Sequence, residues 1–122
     1  MLDVRTDAPR KRIYLTFRGA IDIQAVSEGA SRMLAAACAL GPGFDLVHDI
    51  SLQKSSDDLT TAVIARTQGQ LLRLGPRRIV RVVGQRGAAA LQLRRPRREF
   101  GATHRIAVVA TLAEADALLA RP

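Results

Sequence analysis

An α/β fold on a mixed, mainly parallel sheet is the architecture this sequence predicts, and three observations carry it. Short apolar runs of strand length alternate with longer stretches whose apolar residues recur at three- and four-residue steps. Gly41-Pro42 and Gly75-Pro76 close two of the longer stretches, since glycine takes the left-handed position and proline cannot continue a helix. Two strand-like segments precede the first long stretch, so an antiparallel hairpin leads into the alternating part. The resulting order is β-β-α-β-α-β-α-β-α. It fits a single domain over residues 1–122, a length that supports one core and not two.

Each element has its own warrant. Leu2 to Arg5 and Arg12 to Arg18 read as the hairpin, with Pro9 in its turn; Ile13, Leu15 and Phe17 alternate with Tyr14, Thr16 and Arg18. Asp22 is the expected N-cap of a helix from Ile23 to about Leu40, with Val26, Ala30, Met33, Leu34, Ala37 and Leu40 as its buried stripe. Phe44 to Ile50 is an interior strand with polar ends. Ser55 or Ser56 caps the next helix, with Asp57 and Asp58 in its first turn, where the macrodipole favours negative charge. Leu59, Ala62, Val63, Leu71 and Leu74 form its core face, and Gly69 weakens its middle.

Ile79 to Val83 is a strand whose Arg81 suggests an edge or a partly solvated position. A short helix over Ala88 to Leu93 ends before Pro96. Arg105 to Ala110 is the last strand. Thr111 and Glu114 then form a T-x-x-E capping box for the helix Leu112 to Ala120.

Composition narrows the class. The apolar fraction is 48% with mean hydropathy +0.04, as in folded domains, and no apolar run reaches the length of a membrane span. The N-terminus shows no secretory h-region, and the single Cys38, read as a small buried residue, cannot form an intrachain disulfide; a reducing cytoplasm is the expected location. The net charge of +8 is unevenly placed: nine arginines and no acid lie between Arg73 and Arg98. Such a block can serve nucleic acid, an anionic membrane or an acidic partner, or can simply solvate a face.

Enzymatic constellations are missing. His48 and His104 are the only histidines, and neither stands in a catalytic spacing; His48 and its neighbour Asp49 point to opposite faces of a strand, and His48 is expected to bond to backbone. One cysteine and two distant histidines make no metal site, and no G-x-G-x-x-G or Walker sequence is present. No catalytic residue, metal or cofactor is therefore assigned. Gly84-Gln85-Arg86-Gly87, between a strand and a helix start, is the best anion-binding candidate through Gly84, Arg86 and Gly87, although a tight turn explains its glycines equally well.

The element order, with H-D-I-S running into a Ser/Asp-capped helix, resembles the STAS domain family, in particular its divergent SpoIIAA-like branch of anti-sigma factor antagonists. R-I-Y-L-T-F-R-G-A-I-D, P-G-F-D-L-V-H-D-I-S and T-L-A-E-A-D-A-L-L carry the likeness across nearly the whole chain. The family pattern has Asp-x-Ser at a strand end and an Asp-Ser pair, followed by glycine, opening the next helix. Asp49 and Ser51 match the first part and Asp57 the acid of the pair. Asp58 falls where the phosphorylated serine belongs, and Thr60 where the glycine belongs. The resemblance implies a non-enzymatic bacterial regulatory domain with a protein partner, of the anti-sigma or kinase-like kind, and is compatible with a homodimer.

The contact surface so implied comprises Asp49, Ser51, Ser55, Ser56, Asp57 and Asp58, with Arg86 beside it and the usual phosphoserine switch absent. The competing reading is an arginine-rich protein that binds nucleic acid or another anionic ligand. Aromatics are only 3% of the chain, so the stacking platform expected of a single-strand binder is lacking.

Overall fold

A computed structural model describes residues 2–54, 57–86 and 106–121. Five strands form one sheet: β1 (Leu2–Asp7), β2 (Arg12–Gly19), β3 (Asp45–Gln53), β4 (Arg78–Val82) and β5 (Ile106–Val109). Their spatial order equals their chain order. β1 runs antiparallel to β2, and every other pairing is parallel. Helices described in full are α1 (Ile23–Leu40), α2 (Asp58–Arg73) and α3 (Leu112–Leu119). The expected mixed sheet, with its antiparallel hairpin, is the one observed. The expected helix over Ala88 to Leu93 lies outside the described residues.

Alternation along the strands sorts the core into two layers. Ile13, Leu15 and Phe17 of β2, with Leu46 and Ile79, meet Val26, Met33 and Ala37 of α1 and Leu71 of α2. On the other face Tyr14, Val47, Val80, Ala107 and Val109 meet Ala115, Leu118 and Leu119 of α3. Tyr14 is thus buried, where the alternation had placed it among solvated positions; its hydroxyl donates to Asp116 Oδ1 at 2.7 Å, and Arg12 Nη1 reaches the same oxygen at 3.3 Å.

Helix ends follow side-chain chemistry. Asp22 Oδ1 accepts from Ala25 N at 2.8 Å and begins α1 at Ile23; Gly41, at φ 78°, ends it. Thr111 Oγ1 accepts from Glu114 N, the first half of the expected capping box, while Glu114 Oε2 accepts from Ala110 N at 3.3 Å, one residue before the cap. α2 departs from expectation. Its N-cap is Asp57, whose Oδ1 accepts from Thr60 N at 2.7 Å, so neither Ser55 nor Ser56 holds that role.

The inward stripe of α2 is also rotated from the expected one. Thr60, Thr67 and Leu71 are buried, whereas Leu59 and Ala62 face outward. Thr67 can be buried because its hydroxyl donates to Val63 O at 2.9 Å. Cys38 is exposed rather than buried, because it lies one residue past the inward Ala37, about 100° around the helix. Arg81 sits on an interior strand, β4 pairing with both β3 and β5, and is half-buried there.

Where the amino ends of β3 and β4 lie side by side, Arg78 forms a fork with Asp45, Nε to Oδ1 at 3.1 Å and Nη2 to Oδ2 at 2.8 Å. The same guanidinium donates to Leu119 O and Arg121 O at the end of α3. Both side chains are nearly buried, and loss of either would leave its partner's charge uncompensated.

Two helical glycines make opposite demands. A Cβ on Gly29 would stand 1.9 Å from Leu2 Cδ2 and 2.6 Å from its Cγ, whereas one on Gly69 would meet nothing within 4 Å. Gly69→Ala should therefore raise stability by about 0.5–1 kcal/mol. Gly29→Ala should lower it by about 1–3 kcal/mol through overpacking. Urea unfolding of the two variants checks the opposite signs.

Candidate functional site

The parallel strands β2 to β5 end at one side of the molecule, and α1, α2 and α3 all begin there. In open α/β sheets this is the side on which loops converge and function is built. β3 supplies its centre. Asp49 Oδ1 accepts from Ser51 N at 3.0 Å and from Ser51 Oγ at 2.6 Å, in the stretch of β3 where its pairing with β2 shifts register between Thr16 and Arg18. Lys54 N donates to Gly19 O at 2.9 Å, which holds the outgoing chain against the end of β2.

The candidate anion loop reaches the same place. A Cβ on Gly84, at φ 77°, would lie 3.3 Å from Ser51 Cβ, so glycine there serves both the left-handed turn and the close approach. Residues 84–86 are helical and Arg86 is exposed. Of the residues singled out from sequence, Asp49, Ser51 and Gly84 are brought together, and Asp57 and Asp58 open α2 across the loop. Ser55, Ser56 and Gly87 lie outside the described residues.

Electrostatics separates the two acids best placed to act. Hydrogen bonding from the Thr60 backbone N–H, with smaller help from its hydroxyl and from Leu59 N–H, holds the Asp57 carboxyl below the usual carboxylate range. That is the signature of a cap and leaves Asp57 occupied. Asp58 is exposed in the first turn and makes no described side-chain bond.

What the sequence did not reveal is the apolar character of this side. Ile23 begins α1, Leu112 begins α3, Leu52 ends β3 and Leu59 stands in the first turn of α2. All four are exposed, Leu52 at 60% and Leu59 at 66%. Only the position of each beside a helix start or strand end, away from the inward stripes, could have indicated it.

Beyond α3 no described residue covers the sheet face. A trough of about 390 Å³ runs over β1 to β3, lined among others by Arg5, Tyr14, Thr16 and Asp49, with Leu112 contributing to its wall. Register sets Asp3, Thr16 and Asp49 in one row across three strands, and the Arg5 guanidinium lies 4.0 Å from the Tyr14 ring centre.

His48 is on the opposite face from Asp49, as alternation requires, but it is not bonded to backbone through its outer nitrogen. It is 5% exposed, edge-on to Phe17 at 4.9 Å, and its Nε2 has no partner among the described residues. Its immediate surroundings are apolar apart from Thr67, Gln68 and Arg81. A buried imidazole without a nucleophile beside it offers no catalytic pair. No cluster of three His, Cys, Asp or Glu side chains able to hold a metal occurs among the described residues.

The arginine run is divided by the fold. Arg73 and Arg77 lie exposed at the end of the molecule remote from the site, Arg78 is turned inward to Asp45, Arg81 is half-buried on the sheet, and Arg86 is at the site. These five do not share a face. Arg94, Arg95, Arg97 and Arg98 lie outside the described residues.

Comparison with known proteins agrees with this architecture. The anti-sigma factor antagonist SpoIIAA, in a structure of its unphosphorylated form, superposes over 100% of both chains with a TM-score of 0.65 at 13% sequence identity. The chain has the SpoIIAA fold. A second solved structure, of a protein called Mglu, matches over 70% of this chain and 20% of its own at a TM-score of 0.52 and 16% identity. No family model matches the sequence, and no curated protein matches it significantly. Within the SpoIIAA fold, Asp49 and Ser51 occupy the end of β3, and the first residue of α2 is an aspartate. No helix among the described residues is long and apolar enough to cross a membrane.

Burial first, and then the Arg81 guanidinium, bring the His48 imidazole from 6.5 to about 4, with Asp49 opposing. The unfolded chain therefore takes up a proton between about pH 6.5 and 4 that the folded chain refuses. Stability is complete above that window and declines as pH falls through it, by about 3 kcal/mol at most. Urea midpoints measured between pH 7 and 4.5 should fall less steeply in His48→Leu than in the parent. An equal slope in both would contradict the assignment.

Proposed function

We propose that the chain is a non-enzymatic regulatory domain that binds another protein through the end of the sheet where β3 passes into α2. The gathering of exposed Ile23, Leu52, Leu59 and Leu112 around Asp49, Ser51, Asp57 and Asp58 carries this reading. Solvent-exposed side chains of this size, set among charged groups at one end of a domain, are what a partner's apolar centre and polar rim require. The SpoIIAA fold supports the same class, because the matched protein is an anti-sigma factor antagonist. The partner then corresponds to an anti-sigma or kinase-like regulator in a bacterial cytoplasm.

The switch differs from the one that an unphosphorylated form implies for SpoIIAA. Asp58 stands at the position of the acceptor and supplies a fixed single negative charge, where a phosphate would supply about −1.5 to −2 and be removable. The domain works constitutively at this position, and Asp49 and Ser51 shape the strand end beside it. Arg86 offers a neighbouring cation for an acidic group of the partner.

Capture of partners from native lysate by the parent, Asp58→Ser and Asp58→Ala tests the reading. Both variants should lose most of the captured partner, with capture restored to Asp58→Ser only after phosphorylation. A partner set unchanged by either substitution would show that the site is elsewhere. Intact mass after incubation with lysate and ATP should show no phosphate on the parent; an increment at Ser51, Ser55 or Ser56 would show that the switch has moved rather than been lost.

A further inference from the structure

The end of the molecule remote from the proposed site has its own character. α2 finishes there with Leu72, 53% exposed, and Arg73, also exposed. The loop that follows is tied to the other loops of that end: Gly43 N donates to Gly75 O at 2.7 Å, Arg77 N to Phe44 O at 2.7 Å, and Asp45 N to Lys11 O at 2.9 Å. These bonds bring the loops that carry exposed Arg77 and Lys11 to the end of α2, where exposed Leu72 and Arg73 stand; the Lys11 ammonium donates to Pro42 O. The nearby acids are committed, Asp45 to Arg78 and Asp7 to Arg10.

The opposite end of the same helix is its complement. Asp58 and Leu59 put a carboxylate and an exposed leucine at the amino end of α2, beside the Asp57 carboxylate that caps the helix. One helix thus presents an acidic apolar end and a basic apolar end, sixteen residues apart. Placed end to end, two copies set Leu59 of one against Leu72 of the next, the Asp58 carboxylate near a guanidinium, and the helix dipoles head to tail.

We propose that the protein associates head to tail with further copies of itself, the amino end of α2 on one copy meeting the carboxyl end of α2 and Arg77 on the next. The contact is heterologous, so a pair joined by one such contact still carries one unused surface of each kind, and further copies add until a ring closes. This inference rests on reading the amino end of α2 as a protein-binding surface, and it names one occupant of that surface. A nucleic acid is a poorer fit to the basic end. Among the described residues no exposed aromatic side chain accompanies the cations there, and an exposed leucine shares that end with them. The overall charge of +8 opposes association, but beyond about 10 Å that repulsion is screened at 0.1 M salt, whereas the paired ends act at contact.

Light scattering on the purified chain at about 0.1 M salt should show a weight-average mass that rises with concentration past twofold, and that returns to the monomer at ~1 M salt. Arg73→Gln with Arg77→Gln removes one end; Asp58→Asn with Leu59→Gln removes the other. These side chains are solvent-exposed, and circular dichroism verifies that both variants fold. Each variant alone should be monomeric, and an equimolar mixture should stop at twice the monomer mass, because one good end of each remains. A monomeric parent, or a parent that saturates at two copies, overturns the proposal, as do variants that still associate or a mixture that stays monomeric. Salt-sensitive binding of duplex DNA lost in Arg73→Gln/Arg77→Gln, with no self-association of the parent, would assign the basic end to nucleic acid instead. Native partner capture by that same variant, whose α2 amino end is intact, reports on the proposed function separately.

Discussion

The Arg78–Asp45 fork is the interaction on which the rest of the arrangement depends. It lies where β3 and β4 start and binds the end of α3 through two carbonyls, so one guanidinium joins two parallel strands to the helix that closes the second layer. A buried ion pair of this kind adds little net stability over an apolar replacement, but it penalises any arrangement that separates the partners. A one-residue slip of β4 along β3 would carry Arg78 to the other face of the sheet and leave the Asp45 charge buried alone. Register at the start of the strands then fixes which residues emerge at their far ends, where Asp49, Ser51 and Gly84 meet.

Polarity along the strand axis organises the surface in the same way. Because every parallel crossover returns to the starting side, helices begin at one end and finish at the other. Acids that complement helix amino ends, such as Asp22, Asp57 and Asp58, collect on the site side, while Arg73 stands at a carboxyl end. The arginine-rich sequence is cut across by this geometry. Among its described members, Arg78 and Arg81 serve the fork and the sheet, while Arg73 and Arg77 reach solvent at one end of the molecule and Arg86 at the other.

Much of this was legible from residues with strong local preferences. Asp22, Gly41 and the helix between them were read to the residue, because a cap and a stop each have one candidate there. At α2 the run Ser55-Ser56-Asp57 offers three competent caps, and only the backbone geometry selects Asp57. The inward face of α2 was misread for a different reason. Leu59 is more apolar than Thr60, yet Thr60 is the residue whose direction the cap fixes toward the core. Cys38 shows the same limit, since one step past an inward position is enough to expose a side chain. Asp49 and Ser51 could be found from the pattern; their contact with Gly84 depends on β4 pairing with β3, which local preference does not encode.

The sheet order also bears on how the chain comes to be folded. Each strand pairs with its immediate predecessor in sequence, so no strand has to be threaded between two already in place. The sheet can accrete from one side in the order of synthesis, with β1 and β2 forming a template and each later strand docking on the most recent one. The Leu2 side chain, on the first strand, fills the hollow that Gly29 leaves on α1.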